Sequence, residues 1–529
     1  MAISIIMVAA VILLCVLAEK FSGKFGMPAL ILFMFVGMVF GSDGLFKIPF
    51  NNYKLSENIC AIALLFIMFY GGFNTKWKVA KENAVKSVLL STVGVLITAG
   101  ITAWLCMKFL DCTFEESFLL GAVLSSTDAA SVFSILRKKK LNLKNGTASL
   151  LEMESGSNDP VAYMLTLIGI GMMSTSGVVN IPVMLTKQIV FGILSGVLLA
   201  GGAIFLMTRT HFISEGLDTI FLIAAVLLCY GLTEYIGGNP YLSVYLMGIL
   251  IGNSSIKHKS TVIPFFDGVT SLSQILIFFL LGLLTFPHRM PEVIPAALAI
   301  CAFLTLIARP VAVFLILLPF RCSIRQCLLV SWAGLRGAAS SVFAIVAIAN
   351  GVVMTHDLFH IVFMVSLFSV GVQGTLLPFM ARRLDMIDES MDVRKTFNDY
   401  QEESAITLMR MYIPKGHNWE NKLVRDVNMP TGSLALMIKR NHETIITKGD
   451  TKILADDDVI LSVPAYQPCE HEMLEEMHID HGHAWCNRTI ESLKLPSDEL
   501  IAMIMRGEEN LIPDGKTKIC EGDVVVMYH

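Results

Sequence analysis

Apolar runs separated by short polar breaks fill the first 380 residues of this chain and then stop. Read in windows of about 19 residues, the runs fall near 2–18, 27–41, 57–72, 87–106, 115–136, 149–173, 181–208, 217–236, 240–256, 266–286, 291–319, 327–350 and 357–380. A membrane-spanning helix needs about 20 residues, so the pattern predicts an all-α polytopic membrane domain of about thirteen helices. Several runs are short or are interrupted by Gly, Pro or polar groups. The first lacks a basic leader and a clear cleavage site, and it reads as a retained helix, not a signal peptide.

Beyond Met380 charge becomes dense and the apolar stretches become short, as in a soluble tail. The tail repeats itself. Met429-Pro430, Met437-Ile438, Arg440, Glu443, Ile446, Gly449, Thr451-Lys452-Ile453, Asp457 and Val459 recur as Leu495-Pro496, Met503-Ile504, Arg506, Glu509, Ile512, Gly515, Thr517-Lys518-Ile519, Asp523 and Val525. The offset is constant, which predicts two small α/β modules in tandem. Each is expected to have a strand through Ala435–Lys439 or Ile501–Arg506, a charged turn, and a closing strand through Val459–Val463 or Val524–Met527. The expected domains are a membrane domain at 1–385, a linker at 386–404, and modules at 405–466 and 467–529.

Composition agrees with the pattern. Hydrophobic residues make up 54% and charged residues 16%, against about 25% charged in ordinary soluble domains. The net charge of −4 gives no reason to expect a nucleic-acid partner. Eleven cysteines without a C-x-x-C pair predict packing residues, not a disulfide framework. Lys and Arg concentrate in alternate loops, among them Lys76, Lys78 and Lys81, Arg137 to Lys140, Lys257 and Lys259, and Arg382 and Arg383. The intervening loops hold only Lys47, Lys54, Lys108 and Arg289. By the positive-inside rule the N-terminus is expected outside and the tail in the cytoplasm.

The informative chemistry is polar residues at membrane depth, where a charge costs about 3 kcal/mol on insertion scales. Ser126-Thr127-Asp128 interrupts the fifth run, and Glu154-Ser155-Gly156-Ser157-Asn158-Asp159-Pro160 opens the sixth. The twelfth run is broken by Gly334-Leu335-Arg336-Gly337. It matches the fifth with one inserted residue: Leu119-Leu120 and Ala129 to Phe133 against Leu328-Leu329 and Ala338 to Phe343. Lying seven runs apart, the two copies cross the membrane in opposite directions, as an inverted repeat does. Asp159 is the first candidate for an ion and proton site, because one carboxylate holding either a cation or a proton couples the two fluxes. Asn158 and Ser155 lie beside it. Thr127 and Asp128 sit at the break, Asp128 either as a ligand or as a cap on the following half-helix. Glu154 and Arg336 are expected to form a structural ion pair. Glu234 and Arg309 read as surface-snorkelling side chains. The tract His478 to His483 with Cys486 reads as a polar linker in preference to a metal site.

Together these motifs resemble those of the monovalent cation–proton antiporters of the CPA1 type, over about residues 1–385. Within that family they are most similar to bacterial potassium–proton antiporters of the NhaP type. The tail repeats resemble TrkA-C modules. The resemblance implies a transporter and not an enzyme, with no catalytic residue, no metal and no cofactor. It implies a homodimer in the inner membrane, with helices five and twelve broken and crossed, and exchange of K+ or Na+ for H+ at Asp159 with Asn158, Ser155 and Thr127 around it. An Asn-Asp pair implies electroneutral exchange by an elevator-like movement. A TrkA-C tail implies a small regulator at a dimer interface, such as a cyclic dinucleotide. Tyr70 stands where many relatives carry an acid. One carboxylate fewer weakens the field and favours the larger cation, K+, with Na+/H+ exchange as the alternative. A tail-gated channel would need a filter such as T-x-G-Y-G, and an intramembrane enzyme a motif such as H-E-x-x-H or G-x-S-x-G; neither occurs.

Overall fold

The computed structural model describes residues 2–25, 28–77, 81, 83–139, 141–174, 180–209, 217–254, 256, 259–388, 406–427, 429, 433–440, 443–464, 474–479, 485–486, 488–493, 495, 500–506, 509–511 and 513–528. The chain divides into two compact units, Met1–Tyr400 and Gln401–His529.

In the first unit every apolar run forms a helix. They are α1 (Ala2–Phe25), α2 (Ala29–Phe40), α3 (Tyr53–Asn74), α4 (Ala84–Phe109), α5 (Phe114–Val123), α6 (Ala129–Lys138), α7 (Thr147–Met173), α8 (Ile181–Arg209), α9 (Asp218–Tyr235), α10 (Pro240–Gly252), α11 (Lys259–Leu283), α12 (Pro287–Phe320), α13 (Ile324–Trp332), α14 (Ala338–Ala349) and α15 (Leu358–Arg383). Among the described residues seven of these are long and apolar enough to cross a membrane alone. The fifth and twelfth runs are each two half-helices, α5 with α6 and α13 with α14, split where the polar residues fall.

Capping residues set several helix starts. Thr113 and Glu116 form a reciprocal capping box on α5. Asn239 caps α10 just before Pro240, and Ser323 and Asp357 cap α13 and α15. Among the described residues three helices contain a π turn, at Leu90–Gly94 in α4, Leu304–Ala308 in α12 and Ser369–Gly374 in α15. Each inserts a residue and re-aims the side chains after it.

The second unit holds two four-stranded antiparallel sheets of the same design. β1 (Ile406–Tyr412), β2 (Leu434–Arg440), β3 (Glu443–Ile446) and β4 (Asp458–Pro464) pair in the order β1-β4-β2-β3. β5 (Leu474–His478), β6 (Leu500–Arg506), β7 (Glu509–Leu511) and β8 (Val524–Tyr528) pair as β5-β8-β6-β7. Even a bulge recurs, at Ala435/Met437 and at Ile501/Met503. Alternate strand residues form each core: Ile438, Val459 and Leu461 in one, Ile501, Val525 and Met527 in the other.

The modules are rich in strands; among the described residues their α-helix is the single turn Ile490–Leu493. The first residues of the expected linker are packed. Met386 is buried, Ile387 bridges Leu143, and the Asp388 N–H donates to Asn142 O at 3.0 Å, because these residues satisfy the backbone of the 142–144 turn. Residues 389–405 lie outside those described.

A candidate ion site at the crossing of two broken helices

A broken helix leaves carbonyls unsatisfied at the end of its first half and N–H groups unsatisfied at the start of its second. Here the two breaks satisfy each other. The Asp128 N–H donates to Leu335 O at 2.8 Å. Arg336 Nη1 donates to both Ser125 O and Ser126 O, each at 2.7 Å, and so caps the end of α5. Ser369, in the π turn of α15, accepts the Arg336 N–H at 2.9 Å.

Asp128 caps α6, accepting from the Ser131 N–H at 3.2 Å and from Ser131 Oγ at 2.5 Å. Its carboxylate also lies against Gly337, where there is no room for a Cβ. The negative charge therefore sits at the start of α6 and of α14 at once, where both helix dipoles favour it.

α7 runs beside this crossing. Asp159 lies inside α7 and is 5% exposed. The Ser126 hydroxyl donates to its Oδ1. Ser155 Oγ donates to Thr127 O at 2.5 Å, and Asn158 Nδ2 donates to Thr127 Oγ1. The sequence candidates Thr127, Ser155, Asn158 and Asp159 thus meet at one place, with Asp128 on the adjoining helix start. Asn158 Oδ1 is buried and has no hydrogen-bond partner. An unsatisfied buried acceptor costs about 1–3 kcal/mol, and a neutral amide oxygen beside a carboxylate suits a dehydrated monovalent cation. Tyr70 is a buried residue of α3.

The expected Glu154–Arg336 pair is not formed. Glu154 pairs with Arg309: Nη2 donates to Oε2 at 2.8 Å, and Nη1 lies 2.6 Å from Oε1. Both residues are buried, at 1% and 3% exposure, so Arg309 does not snorkel to a surface. The reason is local. The π turn at Leu304–Ala308 ends immediately before Arg309 and turns it inward, while Arg336 is taken up by the carbonyls of the opposite break. Glu234 is exposed. Within the tract at 478–486, Asp480, His481 and His483 lie outside the described residues.

Ser126 belongs to the break motif but was not among the site candidates, although it directly precedes Thr127. Arg309 and Ser369 were missed as contributors because they lie on distant segments and approach only through packing.

The sodium/hydrogen exchanger transmembrane family matches residues 8–383, and the TrkA-C domain matches residues 474–528. The chain is 31% identical over 465 residues to the K(+)/H(+) antiporter NhaP of Alkalimonas amylolytica, covering 87% of this chain and 81% of that one. It is 31% identical over 450 residues to the K(+)/H(+) antiporter NhaP2 of Shewanella sp. (strain ANA-3), covering 84% and 78%. In fold it is similar to the sodium proton antiporter MjNhaP1 of Methanocaldococcus jannaschii, with TM-score 0.63 and 21% identity over 72% of this chain and 99% of that one. The chain belongs to the sodium/hydrogen exchanger family of multi-pass membrane transporters and carries a TrkA-C domain in its tail.

Proposed function

We propose that this transporter exchanges K+ for H+ one for one, with both ions competing for Asp159. One observation carries the reading. The crossing holds three carboxylates, Asp128, Glu154 and Asp159, against two guanidinium groups, Arg309 and Arg336, which is a formal charge of −1. One monovalent cation neutralises that charge, and so does one proton. Both loaded forms are then neutral at membrane depth, where a net charge is costly. The empty form is charged and crosses poorly. That asymmetry is what obligatory exchange needs.

Asn158 Oδ1, the Asp159 carboxylate and the Thr127 hydroxyl are the oxygens proposed to replace the cation's water. Potassium is preferred to sodium because the relatives at 31% identity are named for K+, and because Tyr70 adds no charge at its position. Alternating access is proposed to be elevator-like, in a homodimer. The proposed setting is the inner membrane, with the N-terminus outside and the tail in the cytoplasm, as the loop charges favour. The tail is proposed to regulate transport by holding a small ligand, of which a cyclic dinucleotide is one candidate.

The test is proton flux in proteoliposomes under an imposed pH gradient, with potassium, sodium or lithium added, for wild type and Asp159→Asn. Potassium-driven proton movement that disappears in the variant is expected. Faster turnover with sodium than with potassium overturns the ion assignment in favour of Na+/H+ exchange. No cation-dependent flux, even from a chain truncated after Ser390, overturns the exchange reading.

A further inference from the structure

Tyr245 of α10 occupies a slot between two helices. Its backbone lies against Gly72 of α3, and its ring lies against Gly156 of α7. A Cβ on Gly156 would sit 2.7 Å from Cζ and 2.8 Å from the hydroxyl oxygen, so no other residue at 156 leaves the ring where it is. Gly156 is one turn before Asp159, on the same side of α7.

The ring brings a buried hydroxyl to the polar side of α7. Tyr245 is 3% exposed; the Ser157 and Thr75 side chains lie within hydrogen-bonding range of its hydroxyl, but neither reaches normal hydrogen-bond geometry. The groups that face it are Ser157, Glu152 and Asp159 from α7 and Thr75 beyond the end of α3; Glu152 and Asp159 are the titratable ones. Pro160 lies inside α7 and has no N–H, so the Gly156 carbonyl loses its intrahelical donor. A buried hydroxyl not fully satisfied, on the turn of α7 where Pro160 removes a backbone donor, is a partner for a water molecule.

Glu152 and Asp159 are seven residues apart on α7, about 10 Å along the axis. That is too far for direct proton transfer and about the span of a chain of two or three waters at hydrogen-bond spacing. Glu152 is partly exposed and lies toward the start of α7, whereas Asp159 is buried. The Tyr245 hydroxyl lies between them.

We propose that Tyr245 positions the water through which Asp159 exchanges its proton with the membrane face where α7 begins. The Asp159 carboxyl gives its proton to this water, the proton passes along the water chain to the Glu152 carboxylate, and Glu152 releases it to solvent. The reverse order loads Asp159. The cation needs no such chain. This assignment rests on Asp159 being the exchanged carboxylate.

The experiment compares wild type, Tyr245→Phe, Glu152→Gln and the double variant in proteoliposomes, with Asp159→Asn as the reference for lost exchange. Phenylalanine keeps the ring between Gly72 and Gly156 and removes only the oxygen. The expected result is turnover at saturating potassium reduced about tenfold, with the potassium KM unchanged and the pH profile of turnover altered. Glu152→Gln is expected to match it, and the double variant to be no slower than either single one. Wild-type turnover and pH profile in Tyr245→Phe overturn the relay. So does a raised KM with unchanged turnover, which makes the hydroxyl a cation ligand. Loss of thermal stability in detergent with an unaltered pH profile overturns it as well, leaving Tyr245 a packing residue. If wild-type exchange survives in Asp159→Asn, it is the underlying reading of Asp159 that fails.

Discussion

The two tail modules repeat an interaction, whereas the two broken helices repeat a shape and invert its chemistry. In the tail, Arg440 holds Asp457 with Nε at 2.7 Å and Nη2 at 2.6 Å, and also donates to Lys452 O at 2.9 Å. Arg506 holds Asp523 at 2.8 and 2.7 Å and donates to Lys518 O at 2.8 Å. Both aspartates are buried, and the same clamp ties the same turn to the same strand. In the membrane unit the two breaks carry opposite charges, Asp128 in one and Arg336 in the other. The tandem copies each close a core of their own. The inverted copies face each other, so like charges at matching positions would repel in a low-dielectric setting. Opposite charges let each break cap the other.

The sharpest way to break this comparison is to unpair the membrane charges. Arg309→Ala leaves Glu154 buried and alone, and the expected cost is about 3–5 kcal/mol. Most of the protein should then be lost from the membrane fraction, with the remainder unfolding at markedly lower temperature in detergent. Arg309→Ala with Glu154→Ala should recover much of that loss, because no uncompensated charge remains. A single variant as stable as wild type would show that the pair contributes little.

Gly337→Ala is the next test. The added methyl displaces the Asp128 carboxylate from the start of α14. Overpacking of this kind costs about 1–3 kcal/mol, so the protein should still fold while potassium-driven proton flux falls by an order of magnitude or more. Gly334→Ala is a poor control, since a Cβ there meets Arg309 at 2.8 Å. Gly351→Ala, with open space around it but a φ of +81°, tests strain without touching the crossing. Equal flux in wild type and Gly337→Ala would remove Asp128 from the working site.

The tail clamps are expected to show a smaller and pH-dependent effect. Burial pushes the Asp457 carboxyl up, but the hydrogen bonds from Arg440 and from the Leu454 N–H outweigh it and hold the group below the ordinary carboxylate range. At Asp523 the Arg506 hydrogen bonds dominate and lower it too. A folded-state value below the unfolded one, about 3.9, gives stability that is present above that pH and lost as the pH falls through the lower folded value. Guanidinium unfolding of the tail, residues 401–529, should therefore show a midpoint that is flat from pH 7 to about 5 and falls below about 4. Arg506→Ala should lower the unfolding free energy at pH 7 by about 1–3 kcal/mol, bring the midpoint down with it, and flatten the acid limb. An acid limb unchanged in that variant would place the titration elsewhere.

How much of this was legible depended on whether a contact is carried by local spacing. The thirteen runs, the two breaks and the tail repeats are periodic patterns, and they stand out in the sequence. Thr127, Ser155, Asn158 and Asp159 were placed in one neighbourhood because two adjacent segments carry them. The partner of Glu154 was not legible. An extra residue in a π turn rotates everything after it by about 100°, which carries Arg309 from an outer face to the interior without any mark in the hydropathy. Arg336 was paired wrongly for a related reason, since backbone carbonyls freed by a break do not appear in a list of charges. In the tail, β1 and β5 lie outside the repeated motif and pair with the closing strands β4 and β8, an arrangement that only the sheet order reveals.

The smallest expected effect concerns Tyr70, which bears on ion choice and not on whether exchange occurs. Tyr70→Glu adds one carboxylate to a buried position of α3. If that position borders the cation, a site of formal charge −1 becomes −2, and a stronger field favours the smaller, more strongly hydrated ion. The ratio of sodium to potassium turnover should then rise several-fold, with total exchange still dependent on Asp159. Exchange should also cease to be neutral: one cation would no longer balance the site, and a membrane potential imposed with valinomycin at fixed ion gradients should begin to alter the rate. Tyr70→Phe, which changes neither charge nor ring, should leave the ratio within about twofold of wild type. An unchanged ratio in Tyr70→Glu, with exchange still insensitive to potential, would place Tyr70 outside the cation's reach. The potassium preference would then have to come from the oxygens of Asn158, Thr127 and Asp159 alone.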